Sequence, residues 1–228
     1  MNYAVMVAAG RGTRMGQGID KLFLEVAGRP VVAHSWRRLD QTPSLAGVVV
    51  VVRDGMQEVF HELAREARIT KPYWLAVGGK ERQDSVWNGL CALPADARIV
   101  AIHDAARPFV SLEVIERTIR AAEEFGAAVA AQRVTDTIKT SADGAVIGEH
   151  LDRSLLWSVQ TPQTFQVEVI RRAMTAVRDQ ALNVTDDTAA CALIGQQVRL
   201  VESVAPNPKA TSPADIPYLD LLLRSSAP

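Results

Sequence analysis

Cysteine is nearly absent. The 228-residue chain has two, Cys91 and Cys191, 100 positions apart. That spacing supports neither a disulfide framework nor a paired zinc motif. Both sit among leucines and alanines and are read as buried thiols. Net charge is almost absent too: 25 Lys+Arg balance 26 Asp+Glu, a formal −1. This argues against general nucleic-acid binding but leaves room for a local basic pocket. No hydrophobic run is long. The longest, Leu45 to Val52, stops at Arg53-Asp54, far short of the roughly 20 residues that cross a bilayer. The start, Met1-Asn2-Tyr3-Ala4-Val5, lacks the basic stretch of a signal peptide. His34, His61 and His150 have no ligand spacing with one another, so no protein-bound metal site is expected. Repeats and low-complexity tracts are missing as well. What remains is 48% hydrophobic and 22% charged, the composition of a soluble, cytoplasmic globular protein. One domain over 1–228 is expected, with no membrane or nucleic-acid partner.

Apolar β-rich runs alternate with helix-period segments. Tyr3 to Ala8, Val48 to Val52, Trp74 to Val77, Ile99 to His103 and Ala127 to Ala131 read as short buried strands. Val31 to Leu39, Met56 to Arg68, Arg82 to Leu90 and Leu112 to Phe125 carry amphipathic helical spacing, with Ser111 as an N-cap. This alternation predicts an α/β fold, a doubly wound, mostly parallel Rossmann-like sheet. Such sheets bind ligands beyond the carboxyl ends of their strands. The rhythm breaks after 133. Val134 to Lys139, a turn at Asp143-Gly144, and Ala145 to His150 read as a β-hairpin. An isolated hairpin needs a partner surface, so 134–153 is taken as an arm that packs on a second subunit. Helices follow at Gln166 to Gln180, Asp186 to Leu193 and Pro213 to Leu223, with a strand at Val198 to Glu202.

The first strand runs into Ala8-Ala9-Gly10-Arg11-Gly12-Thr13-Arg14-Met15-Gly16. Glycines just beyond a strand let the backbone approach a ligand and turn amides toward phosphate oxygens. The spacing misses the dinucleotide fingerprint by one residue, and Gln17 stands where a Walker loop needs lysine. Its cations, Arg11, Arg14 and then Lys21, suit a polyphosphate. The alternative is a surface turn with solvated charges, and the apolar anchoring immediately after Lys21 weakens it.

Together, Ala8-Ala9-Gly10-x-Gly12-x-Arg14-Met15-Gly16 and Lys21 resemble the signature of sugar-phosphate nucleotidyltransferases. The segment Ile102-His103-Asp104-Ala105-Ala106-Arg107-Pro108 is similar to the hallmark of one branch, the 2-C-methyl-D-erythritol 4-phosphate cytidylyltransferases of isoprenoid biosynthesis. Further matches are Gly78-Gly79-x-Glu81-Arg82-x-x-Ser85-Val86, Asp136-Thr137-x-Lys139, Leu151-Asp152-Arg153, Thr161-Pro162-Gln163-x-Phe165, Thr185-Asp186-Asp187 and Lys209, in the family's order over nearly the whole chain. One departure is visible: the family usually has proline before Lys21, and here it is Asp20. That carboxylate either holds Lys21 away from phosphate or faces solvent.

The resemblance implies attack by the phosphate of methylerythritol phosphate on the α-phosphorus of CTP, with Mg²⁺ carried mainly on the CTP phosphates. It implies catalytic roles for Arg14, Lys21, Arg153 and Lys209. Ala8, Ala9, Gly10, Gly12, Gly79 and Ser85 would bind the nucleotide; Asp104, Ala105, Arg107 and Thr137 complete the substrate contacts. Asp104 would bind an acceptor hydroxyl, stand near the metal, or merely cap the following turn. Arg107 would aim its fork at phosphate or a neighbouring carboxylate. His103 reads as a packed, hydrogen-bonded histidine rather than a base. Without the resemblance, Gly78-Gly79 is simply a turn, and Thr137, Arg153 and Lys209 are ordinary surface residues. The family architecture implies a homodimer whose arms complete each other's sites. Rival readings are a cytidylyltransferase for another polyol phosphate, such as ribitol 5-phosphate, or a non-catalytic nucleotide-binding protein.

Overall fold

The computed structural model describes residues 1–10 and 20–225. Nine strands and seven α-helices are defined among them. The strands are β1 (Asn2–Val7), β2 (Glu25–Val26), β3 (Arg29–Pro30), β4 (Leu45–Val52), β5 (Tyr73–Val77), β6 (Ile99–Asp104), β7 (Ala127–Arg133), β8 (Trp157–Gln166) and β9 (Arg199–Glu202). The helices are α1 (Val31–Gln41), α2 (Gln57–Glu66), α3 (Arg82–Cys91), α4 (Leu112–Phe125), α5 (Val167–Asp179), α6 (Asp187–Leu193) and α7 (Asp215–Ser225). Seven strands form one sheet in the order β5-β4-β1-β6-β8-β7-β9, and β2-β3 is a separate small hairpin. All seven run parallel except β8, which is antiparallel to both its neighbours. The α/β fold read from the sequence is the fold observed.

Strand periodicity builds the two layers. Ala4, Met6, Val48, Val50 and Val52 face one core with helices α1, α2 and α4. Tyr3, Val5, Val49 and Val51 face the other with α3 and α5. Because alternate side chains leave a strand on opposite faces, an uninterrupted apolar run is what a sheet covered on both sides requires. Helix α3 lies close on this surface. A Cβ at Gly89 would come within 2.6 Å of a Val5 methyl and 2.8 Å of a Val51 methyl, so glycine sets the approach that aims the helix's start at the strand ends.

Three sequence expectations change. Strand β8 was not anticipated, since Thr161-Pro162-Gln163-Thr164 is polar and contains a proline, which usually argues against a central strand. Its buried polar side chains are matched instead: Thr164 Oγ1 donates to Thr118 Oγ1 at 3.0 Å, and Gln163 Nε2 to Asp186 at 3.0 Å. The hairpin at 134–153 is not a two-stranded ladder. A single bridge joins Lys139 to His150, beside backbone bonds between Thr140 and Glu149 and between Gly148 and Thr140. The reversal itself stands where expected, with Gly144 at φ +74° and Asp143 Oδ1 accepting from the Ala145 and Val146 amides. Finally, Cys91 is exposed, one residue past the buried Gly89-Leu90 face of α3. Cys191 is buried, and burial pushes its thiol up to about 12.

Candidate active site

A cavity of about 470 Å³ opens where β1, β5 and β6 end. Val7, Ala9 and Gly10 line it from the end of β1 and the residues after it, Gly79 to Arg82 and Ser85 from the approach to α3 and its first turn, Asp104 and Ala106 from the end of β6 and the turn beyond, Lys21 and Leu22 from a short helical turn, and Lys209 from a loop. Val7 lies opposite Asp104 in the β1–β6 register, so the first loop and the terminal carboxylate of β6 meet because neighbouring parallel strands end level.

On the α3 side, the backbone comes tightly around. A Cβ at Gly79 would sit 2.2 Å from the Asp84 Cβ. The Gly79 amide donates to Ser85 Oγ at 3.1 Å, and Ser85 Oγ donates to the Glu81 carbonyl at 3.2 Å. Glu81 and Asp84 form a reciprocal capping box. The start of α3, closed by its own two carboxylates, therefore borders the cavity.

The floor is an ion-pair chain. Lys209 Nζ donates to Asp104 Oδ2 at 2.6 Å, and Arg82 Nε donates to Asp104 Oδ1 at 3.2 Å. Arg82 then makes a two-pronged contact with Asp187, both prongs at 3.0 Å. Burial alone would raise the Asp104 carboxyl, but Arg82 and Lys209 outweigh it and hold it well below the usual carboxylate range. Asp187 is more enclosed, and burial raises it despite the Arg82 guanidinium beside it. Below the floor, His103 is fully buried. Its Nε2 faces the Arg107 carbonyl at 3.1 Å and must donate there, so Nδ1 accepts from Thr161 Oγ1 at 3.1 Å. Thr161 Oγ1 in turn accepts the Asp104 amide at 3.1 Å. Burial lowers the His103 imidazole to about 4, so it is a neutral packed group, as the sequence suggested.

The match of a family model to residues 2–225 completes this picture; its description is 2-C-methyl-D-erythritol 4-phosphate cytidylyltransferase, IspD. The chain belongs to that family. It is similar to the 2-C-methyl-D-erythritol 4-phosphate cytidylyltransferase of Geobacillus kaustophilus, 41% identical over 226 residues, 99% of this chain and 98% of that one. A solved structure of the Thermus thermophilus cytidylyltransferase superposes with a TM-score of 0.77 at 30% identity, covering 96% of this chain and 98% of that one. The Anaerococcus prevotii 4-diphosphocytidyl-2C-methyl-D-erythritol synthase shares the fold with a TM-score of 0.87 at 24% identity, over 98% of this chain and 96% of that one.

Set against the residues named from the family signature, the cavity gathers Ala9, Gly10, Lys21, Gly79, Ser85, Asp104 and Lys209. Arg14 and Gly12 lie outside the described residues. Ala8 and Ala105 are buried behind the lining. The Ala8 amide is engaged by the Val51 carbonyl at 2.8 Å and that of Ala105 by Val7 at 3.1 Å. Arg107 is absent from the lining, and its Nη1 donates to the Asn207 carbonyl at 2.6 Å. Thr137 and Arg153 are exposed on the arm and absent from the lining, Arg153 donating to the Thr135 carbonyl at 2.6 Å. Asp20 stands at the start of the short turn that carries Lys21. It caps the Lys21–Phe23 turn by accepting from the Leu22 amide and pairs with Arg53. Sequence reasoning gave no role to Arg82, Asp187 or Lys80, although the first two stood in quoted motifs. The available signal was charge at the starts of α3 and α6, which reads by itself as ordinary helix capping.

Proposed function

We propose that the protein is a cytoplasmic homodimer that transfers CMP from CTP to 2-C-methyl-D-erythritol 4-phosphate, giving 4-diphosphocytidyl-2-C-methyl-D-erythritol and pyrophosphate. The observation that carries this reading is the cavity at the strand ends with Lys21, Lys80, Arg82 and Lys209 on its walls and Asp104 at its floor, in a chain of this family. The family match favours methylerythritol phosphate over ribitol 5-phosphate, and an enzyme over a non-catalytic binder.

The chemistry needs no side-chain nucleophile. An acceptor phosphate oxygen attacks the α-phosphorus of CTP in line, a new P–O bond forms, and the bond to the β-phosphate oxygen breaks to release pyrophosphate. Two anions must approach and charge grows on the leaving group, so positioning and fixed cations supply most of the acceleration. Lys21 and Arg14 are assigned to the triphosphate. The start of α3 borders the nucleotide space, and Ser85 with Gly79 shapes the space for cytosine. Lys209, held by Asp104, and Arg153 of the arm are assigned to the acceptor, with Thr137 helping to hold its phosphate.

Among the described residues no group of three or more His, Cys, Asp or Glu is placed to hold a metal ion. Magnesium suits such a site, since it binds through one or two carboxylates plus substrate phosphates rather than through a protein cage. Each oxygen of Asp104 already accepts from a cation, so the ion would be carried mainly on the CTP phosphates, where it would reduce the repulsion that the acceptor meets. The homodimer is supported by exposed apolar residues on the arm, Val146 at 69% and Leu155 at 76%, and by the place of Arg153 outside the lining of its own cavity. No helix among the described residues is long and apolar enough to cross a membrane.

The test is pyrophosphate release with Mg²⁺ and CTP, offering methylerythritol phosphate and ribitol 5-phosphate in parallel, with ATP, GTP and UTP as controls. Release confined to CTP with methylerythritol phosphate is expected. Preference for ribitol 5-phosphate would keep the mechanism and change the acceptor. Silence from folded protein that still binds CTP would remove the catalytic reading.

A further inference from the structure

Asn207 is 3% exposed, in a loop between Pro206 and Pro208. Neither proline brings a backbone N–H, each fixes its own φ, and a residue before proline is held extended. Such a loop has few ways to fasten itself through its backbone, so the side chain of Asn207 takes on that work. Its Nδ2 donates to Gln160 Oε1 at 3.1 Å and to the Thr161 carbonyl at 2.8 Å, both on β8. Its own carbonyl accepts from Arg107 Nη1 at 2.6 Å. Gln160 is fixed from behind, donating to Gln132 Oε1 at 2.8 Å, while Gln132 Nε2 donates to the Ser203 and Ala205 carbonyls just before the loop.

What this fastening controls is close at hand. Two residues on, Lys209 reaches Asp104, and the Ala210 amide donates to the Ala106 carbonyl at 2.8 Å. Thr161, whose carbonyl Asn207 grips, is also the residue whose hydroxyl takes the Asp104 amide. Asn207 is thus bonded to the strand that seats Asp104, to the arginine after the Asp104 turn, and through two backbone steps to the lysine that pairs with Asp104.

We propose that Asn207 is a positioning residue for cytidylyl transfer, setting the reach of Lys209 over Asp104. The inference rests on the transferase reading above. A displacement of about 1 Å in a group far from the reacting bond lowers rate on the order of 10²-fold, which is the scale expected here. A residue that only stabilised the loop would lower the folded fraction without acting through one particular lysine.

The experiment is a double-mutant cycle in the full chain, with Asn207→Ala, Lys209→Ala and the double variant, read by steady-state pyrophosphate release and by calorimetric binding of CTP. Asn207→Ala is expected to lose about 10- to 100-fold in kcat/KM for the acceptor. CTP binding should be retained, and no further loss should occur once Lys209 is alanine, since coupled groups are not additive. Asn207→Ser, which keeps one donor, should fall between wild type and Asn207→Ala and carries the same cycle if the alanine variant does not fold. Wild-type turnover in a folded Asn207 variant, or losses that add to those of Lys209→Ala, would overturn the inference. An inactive wild type would remove the transferase reading and this inference together, whereas an active wild type with indifferent Asn207 variants would remove this inference alone.

Discussion

Lys209 and Asp104 are 105 positions apart in the chain, yet Nζ and Oδ2 stand 2.6 Å apart at the floor of the cavity. The side chains are mostly shielded, Lys209 at 34% and Asp104 at 11% exposed, so the pair is a fixed fitting and not a surface contact. Asp104 holds the lysine where an incoming anion must displace or share it.

Lys209→Ala is therefore expected to lower kcat by about 10²–10³, the usual cost of one oriented charge contact in the transition state. Lys21→Ala and Arg14→Ala should fall in the same range. Steady-state pyrophosphate release checks all three, with the fold confirmed by circular dichroism. Near-normal turnover in a variant would strip that residue of its assigned role.

Arg82 joins two carboxylates, and Asp187 is 1% exposed on its side chain. Arg82→Ala leaves that carboxylate enclosed without its cation, a change that costs about 3–5 kcal/mol where a buried pair is broken. Asp187→Asn removes the buried charge and leaves Arg82 its bond to Asp104, so its loss should be smaller. Urea unfolding measures both. Equal, small losses would show that Asp187 is adequately solvated in solution.

Stability should depend on pH through His103. Its imidazole titrates near 4 when folded, because of burial, against about 6.5 when unfolded. Between those values the unfolded chain holds a proton that the folded chain does not, so stability rises with pH across that window. The full contribution is present above pH 6.5, and about 3 kcal/mol is lost on descending to pH 4. His34, also lowered by burial, adds to the same slope. His103→Gln should reduce the slope in urea unfolding series without nucleotide, and an undiminished slope would assign the effect elsewhere.

The arm offers Val146 at 69% and Ile147 at 61% exposure around its turn. Deleting 140–146 should weaken dimerisation, seen as a shift toward monomer in sedimentation velocity as protein is diluted. Arg153→Ala, which leaves the turn intact, should chiefly raise KM for the acceptor. An unaltered sedimentation profile would argue that the arm does not hold a second subunit.

Most of the sheet was legible because strand and helix periods differ and the valine run of β4 announces burial on both faces. The strand ends around Gly10 and Asp104 were legible for the same reason: glycines and a carboxylate interrupt an apolar pattern. Strand β8 was not, since its core positions Thr161, Gln163 and Thr164 are made acceptable only by partners such as Thr118 and Asp186, far away in sequence. Arg82 and Asp187 were hidden likewise. Each is plausible at a helix start, and the bond between them spans 105 positions with no local trace. Asn207 carries the faintest sign, a polar residue locked between two prolines.

Because β8 alone runs backwards, the chain leaves the sheet at Arg133 and returns at Trp157, and these two residues pair with each other. Both ends of the intervening segment are thus planted at the rim where β6 finishes. An insertion, deletion or wholesale exchange between them changes what projects from that rim, while the Arg133–Trp157 pair keeps the register of the sheet. For protein engineering this makes residues 134–156 a segment that can be grafted between two fixed, mutually paired ends.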